Sequence, residues 1–430
     1  MSLEWMIWLL LFGALLLGVP IYAALGMATT IALLLSDIPL SIIPLDLFKV
    51  SEMFPLIAVP AFVFAGALME RGGMAQQIVD VASVAVGKVR GGLAIVTIIG
   101  CMFFAAMIGS GPGTVAAMGA LMIPSMVRNG YSKDYAAGVS ATGGTIGILI
   151  PPSNPMIIYG VVGNVSIATL FMAGFIPGFL VGGMLMLTSY IIARKKGYKG
   201  STVTYTFMDF LKITKRSFWS LMAPVVILGG IYAGIFTPVE ASIIAIVYAA
   251  IIGVFVTKKL GWKELLESFK LTNATTGTVL IVVGVSLLFG RFVTMYQVPQ
   301  KLAEVVLGIS TNPHIVLIMI TLFLFFLGMF METLATVVIL TPVVLPMLTQ
   351  IGVDPVHFGI LLVMTNEVAM LTPPLGVNLF VAMGLTGLPL ERMAVAALPF
   401  MFAVIICVFI VLFFPEIPLF LPRLLSGYGM

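Results

Sequence analysis

The chain reads as a series of apolar runs separated by short polar or glycine-proline turns. Met1–Leu17 and Ile21–Leu35 flank Gly18-Val19-Pro20, and a third run occupies about 54–70. Gly91–Ile108 and Val115–Val127 flank a small-residue tip, Gly109-Ser110-Gly111-Pro112-Gly113. Tyr135–Val162, Thr169–Ala193, Phe218–Ile235, Glu240–Val256 and Thr272–Phe292 follow, then 313–350, Val356–Thr386 and Met393–Phe414. Runs of this length with so little charge predict membrane-spanning helices. The stretch 299–309 is expected to lie along the interface.

Charge placement orients these runs. Lys and Arg concentrate at 194–216 and 258–270, which the positive-inside rule makes cytoplasmic. The two apolar helices between them must therefore go out and return. Asp37 to Asp46 holds acids and no basic residue, as an outside loop can, whereas Arg71, Lys88 and Arg90 follow the third run. Basic residues at both ends of 91–128 place both ends inside, so this segment is expected to be a re-entrant hairpin. The stretch 313–350 is expected to be its counterpart from outside, with its tip around Glu332 to Thr336. Both termini then face the periplasm.

A duplication underlies this layout. Gly109–Pro177 recurs 222 residues later as Met331–Pro399, with Thr114/Thr336, Pro124/Pro346, Gly130/Gly352 and both proline pairs, Pro151-Pro152 and Pro373-Pro374, in register. Proline removes a backbone donor and stops a straight helix, so each pair frees carbonyls where water cannot satisfy them. Breaks are expected near 147–155 and 369–378. Interrupted hydrophobic segments at equivalent places in two halves point to a secondary-transporter site. The expected fold is an all-α polytopic membrane protein of two inverted repeats, with about ten transmembrane helices plus two re-entrant hairpins and two broken helices.

Composition agrees: 61% of residues are hydrophobic and 9% charged, against about 25% charged in soluble domains. The net charge of +4 is divided among loops and implies orientation in a membrane, not nucleic-acid binding. Cys101 and Cys407 lie in apolar runs, and His314 and His357 stand alone, so neither a disulfide framework nor a metal cluster is expected. Met1–Leu17 carries Glu4 and no basic residue ahead of its apolar run; it reads as the first span, not a signal peptide.

Each half offers a hairpin tip opposite a break. The first pair is Ser110, Gly111, Gly113 and Thr114 against Gly143, Gly144, Gly147, Ile150, Pro152, Ser153 and Asn154. The second is Glu332, Thr333 and Thr336 against Ala369, Thr372, Pro374, Gly376 and Asn378. Helix N-termini suit an anion and free carbonyls a cation. Both sets are rich in oxygen and free of thiol, which suits a hard cation such as sodium. Small residues also let membrane helices pack closely, but that alone does not require prolines in register. Glu332 at a tip reads as functional, because a mid-bilayer acid costs ~2.5–3.5 kcal/mol or more unless paired or solvated. Glu367 either shares that role or faces a neighbouring subunit. Arg291 is read as snorkelling to the interface and Glu240 as capping its helix.

The segments GSGPGTVAAMGALMIPSM, GGTIGILIPPSNPMIIYG, TPVEAS and LTPPLGVNLFV resemble the large membrane subunit of the tripartite ATP-independent periplasmic (TRAP) transporters, over essentially the whole chain. The resemblance implies a sodium-coupled importer of organic acids in the bacterial inner membrane, using two or more Na+. C4-dicarboxylates, sialic acid and related sugar or keto acids are the implied substrates. A periplasmic binding protein delivers the substrate, and a small four-helix membrane subunit is expected as a separate chain. It also implies an elevator mechanism. The transport domain would comprise 91–193 (hairpin 91–128, broken helix 134–163) and 313–430 (hairpin 313–350, broken helix 356–386). It would move against scaffold and arm helices in 1–90 and 218–312, with 194–217 as a cytoplasmic linker. One sodium site is implied at Ser110, Gly147, Ile150 and Pro152, the other at Glu332, Thr336, Ala369, Thr372 and Pro374. Gly111, Gly113, Thr114, Ser153, Asn154, Thr333 and Asn378 are implied in substrate binding.

Other functions fit less well. A proton-coupled carboxylate transporter is the alternative nearest in kind. A channel needs a continuous polar pore, and few charges fall within the spans. An intramembrane enzyme needs a catalytic pair at membrane depth, and none is evident. No Walker-type glycine-lysine loop offers an ATP site.

Overall fold

The computed structural model describes residues 3–36, 38–200 and 206–429. Met1, Ser2, Asp37, 201–205 and Met430 lie outside the described residues, and with them the middle of the expected linker 194–217. Among the described residues every regular element is a helix.

Among the described residues, six segments are long and apolar enough to cross a membrane: Phe54–Arg71, Ile167–Lys196, Pro238–Val256, Trp262–Met295, Thr333–Gln350 and Leu390–Phe413. The first two apolar runs form Leu3–Leu16 and Ile21–Leu34, packed on each other. Each has 14 residues. At that length they extend roughly 21 Å, short of a ~30 Å hydrocarbon core. Ile21–Leu34 is thus shorter than a full span, while the span read over Met1–Leu17 begins outside the described residues.

Three helices form where the apolar-run reading places none: Ile42–Glu52, Met74–Val86 and Glu416–Ser426. They are amphipathic, so no uninterrupted apolar run marks them. Met74–Val86 follows Gly73, whose φ of +78° favours glycine, and buries Ile78, Val79 and Ala82 on one face. The helix expected from Phe218 begins at Phe207. There the Thr206 hydroxyl accepts from the Asp209 amide, and the Asp209 carboxylate accepts from the Thr206 amide and hydroxyl. Those bonds hold the Asp209 carboxyl below its ordinary range. Lys212, Lys215 and Arg216 therefore lie on a helix rather than in a loop. Thr237 and Glu240 cap Pro238–Ile251 in the same way, the role read for Glu240.

The 34-residue helix Trp262–Met295 is tied to the first half of the chain near both ends. Arg71 pairs with Glu267, and Arg291 Nη1 donates to Asp46 Oδ1 at 2.8 Å. Asp46 is 4% exposed. Arg291 is thus a partner for a buried carboxylate, correcting the snorkelling reading. A third pair, Arg392–Asp134 at 2.6 Å, links the two halves elsewhere.

The first hairpin is Gly92–Ile108 and Gly111–Arg128, turning at Gly109-Ser110 alone. The first broken helix runs Lys133–Gly143, tightens to a 3₁₀ turn at Gly144–Ile148, and resumes at Asn154–Val162. The second hairpin is Pro313–Gly328 and Thr333–Gln350, and the second broken helix Pro355–Ala369 and Val377–Thr386. Each broken helix crosses to the other half: Asn154–Val162 packs against Thr333–Gln350, and Val377–Thr386 against Gly111–Arg128 and Lys133–Gly143. Residues of both segments thereby meet in each of two hydrophobic clusters, one including Met156, Tyr159 and Val344, the other Val115, Ala141 and Leu379.

Candidate functional site

At the first tip, Ser110 caps its helix. Its hydroxyl accepts from the Gly113 amide at 3.4 Å, while its carbonyl accepts from both the amide (3.1 Å) and the hydroxyl (2.8 Å) of Thr114. The second tip repeats the core of this arrangement. The Glu332 carbonyl accepts from the amide (3.0 Å) and hydroxyl (3.1 Å) of Thr336, but the Glu332 side chain makes no cap. Glu332 as a residue is exposed at the tip. The tip itself lies at 329–332, earlier than expected, because Thr333 to Thr336 already form the first turn of the following helix.

Each tip is bonded to its break. The Asn154 amide donates to the Gly109 carbonyl at 3.3 Å, and the Leu375 amide to the Met329 carbonyl at 3.1 Å. Glycine makes the first contact possible. A β-carbon at Gly147 would lie 2.6 Å from both the Ser110 carbonyl oxygen and Thr114 Oγ1, and one at Gly109 would lie 2.4 Å from the Pro152 carbonyl. In the second half, Gly328 and Ala369 meet, a β-carbon on the former falling 2.4 Å from that of the latter.

The breaks leave acceptors open. Both proline pairs contain a cis peptide. Among the described residues no backbone amide donates to the carbonyls of residues 149–152, or to those of Leu371, Pro373 and Pro374. The Ile148 carbonyl is taken by the Ser153 hydroxyl at 2.5 Å, and Ser153 Oγ accepts from the Met156 amide. The Thr372 hydroxyl donates to the Val368 carbonyl at 2.7 Å and lies 3.5 Å from Met401 Sδ. Three side-chain carbonyls on the broken helices, Asn154 Oδ1, Asn366 Oδ1 and Asn378 Oδ1, are buried without a hydrogen-bond partner. Oxygen acceptors without donors in an apolar surround suit a hard cation.

The predicted residues do not all gather as expected. Ser110, Thr114, Gly147 and Pro152 meet in the first half. The Ile150 side chain packs toward Gly178, which leaves its main chain alone to contribute to a site. Gly111 and Gly113 sit in the first turn after the tip, and a β-carbon on Gly111 would lie 3.3 Å from Asn378 Oδ1 and from the Gly144 carbonyl. Asn378 Nδ2 donates to the Ala141 carbonyl at 3.1 Å. Asn378 therefore belongs spatially to the first half, a contact that proximity in sequence could not reveal. Thr333, Thr336 and Ala369 are buried, whereas Pro374 is exposed.

Glu367 is fully buried and both its carboxyl oxygens lack a hydrogen-bond partner. It lies inside this chain and not on a face toward a neighbour. His357 is engaged with the Val411 carbonyl at 2.9 Å, a structural contact.

Comparisons with known proteins bear on this arrangement. The family model for the tripartite ATP-independent periplasmic transporter, DctM component, matches residues 7–417. The isethionate TRAP transporter permease protein DctMQ of Oleidesulfovibrio alaskensis is 40% identical over 94% of this chain, which spans 64% of that relative's length. The C4-dicarboxylate TRAP transporter large permease protein DctM of Pseudomonas aeruginosa is 39% identical over 94% of each chain. The sialic acid TRAP transporter large permease protein SiaM of Vibrio cholerae is 38% identical over 97% of this chain and 98% of its own. Among solved structures, the Alcanivorax borkumensis YdaH transporter superposes with a TM-score of 0.67 at 16% identity, covering 98% of this chain and 99% of its own; that likeness concerns the fold alone.

Proposed function

The chain belongs to the DctM component family of the tripartite ATP-independent periplasmic transporters, a transporter component and not an enzyme, and from that premise we propose that it imports an organic acid across the bacterial inner membrane by sodium symport. The observation that carries this reading is the matched construction of the two tips. At each, one carbonyl receives both polar hydrogens of a threonine four residues on, and each tip is bonded to a proline break several of whose carbonyls lack backbone donors. A helix N-terminus and open oxygens side by side favour an anion and a cation together, which is the requirement of symport.

In this proposal Ser110, Gly147, Ile150 and Pro152 contribute one sodium site, mainly through main-chain oxygens. Glu332, Thr336, Ala369, Thr372 and Pro374 contribute the other. The substrate carboxylate is received between the tips, where Gly111, Thr114 and Asn378 come together. The hairpins and broken helices move as one body against the remaining helices, including Trp262–Met295 with its two ion pairs. A periplasmic binding protein presents the acid, and a small membrane subunit completes the scaffold.

Relatives are named for isethionate, C4-dicarboxylate and sialic acid. All three classes belong in a substrate panel. Proteoliposomes holding this chain and its small subunit, supplied with the binding protein, should accumulate one of these acids down an imposed sodium gradient. Accumulation that persists without sodium and follows a proton gradient instead would replace the reading with proton coupling. The buried, unpartnered Glu367 is the feature that favours this second reading, since a proton is the simplest partner for such a carboxyl.

A further inference from the structure

Away from the tips, a cavity of about 580 Å³ opens where three helix ends meet: the start of Lys133–Gly143, the end of Ile167–Lys196 and the start of Leu390–Phe413. Its apolar wall is formed by Ile192, Val395 and Pro399. Its rim is charged. Arg392 is engaged with Asp134, and the Lys196 ammonium stands 6.0 Å from the centre of the Tyr135 ring. Lys195 and Glu391 also line it, and among the described residues neither forms an ion pair. All three helix ends carry basic residues, the mark of a cytoplasmic face.

An apolar cleft beneath a rim bearing both signs of charge is matched by few molecules. Water-soluble anions would leave the wall of Ile192, Val395 and Pro399 unused. A phospholipid uses it with an acyl chain and places its phosphate at the lysines, as basic pockets at cytoplasmic helix ends do. Glu391 narrows the choice further. A carboxylate at the mouth repels a purely anionic head group but pairs with a primary ammonium. We propose that this cavity binds a phospholipid whose head group carries both a phosphate and a primary amine, with Lys195 receiving the phosphate and Glu391 the ammonium.

The site is remote from the hairpin tips and its test is independent of sodium coupling. The full-length protein is reconstituted in nanodiscs containing equal parts phosphatidylethanolamine, phosphatidylglycerol and phosphatidylcholine, extracted, and examined by native mass spectrometry for retained lipid. The wild type should retain phosphatidylethanolamine in preference to the other two. Lys195→Ala should lose that lipid, and Glu391→Gln should lose the preference over phosphatidylglycerol, while Lys199→Ala, outside the cavity, should behave as wild type. Both altered side chains sit at the rim, and unfolding temperatures confirm that the variants are folded. Equal retention of the three lipids by the wild type, or unchanged retention in Lys195→Ala, would overturn the proposal.

Discussion

The Ser110 carbonyl oxygen lies 2.6 Å from where a β-carbon at Gly147 would stand, so the first hairpin tip rests directly on the backbone of the first break. Gly147→Ala forces tip and break apart, at a cost of about 1–3 kcal/mol for overpacking. It should weaken apparent sodium affinity in uptake assays more than it lowers the unfolding temperature. Gly183→Ala, where nothing lies within 4 Å of the added carbon, is the control and should leave both unchanged.

The Arg291–Asp46 pair is asymmetric in burial, with Arg291 49% and Asp46 6% exposed at the side chain. Removing the arginine strands the buried carboxylate. Arg291→Ala should therefore destabilise by roughly 1–3 kcal/mol, the cost of leaving a buried acceptor unsatisfied. The Asp46→Asn/Arg291→Gln double variant should be more stable than the two single changes sum to, a coupling that a thermal-unfolding double-mutant cycle measures. Strict additivity would mean the pair contributes nothing.

Much of the backbone framework of the candidate site was legible because its signals are local. The proline pairs and the glycines of the first tip each constrain backbone within a few residues, and the structure places the first tip and both breaks on those segments, whereas the second tip, which has no glycine, lies earlier than its expected position. Two kinds of feature were not legible. Amphipathic helices such as Met74–Val86 lack the unbroken apolar run that betrays a span, and their burial depends on what packs over them. Contacts between halves depend on how the duplicated segments interlock: nothing near Asn378 in sequence indicates Ala141 as its partner, and Arg291 gives no sign of Asp46.

Glu367 separates the two coupling readings. Its carboxyl has no hydrogen-bond partner, so Glu367→Gln, which keeps the shape and cannot ionise, should leave the unfolding temperature close to that of the wild type. Glu367→Ala should lower it by opening a cavity. Under sodium symport, Glu367→Gln retains sodium-driven uptake; abolished uptake in this folded variant would instead support a coupling proton at Glu367.

The pairing of each hairpin tip with its proline break as a coupling-ion site is tested most directly by the sodium dependence of uptake in two double variants. Ser110→Ala/Gly147→Val removes a cap and fills the close approach in the first half, and Glu332→Ala/Thr372→Val removes the carboxylate and a hydroxyl in the second. Measured in proteoliposomes with the binding protein, on protein whose thermal unfolding shows an intact fold, each variant should lower apparent sodium affinity and reduce the cooperativity of sodium activation, with the glycine change the harsher. Wild-type sodium affinity and cooperativity in both variants would contradict the assignment and leave close helix packing as the role of these residues.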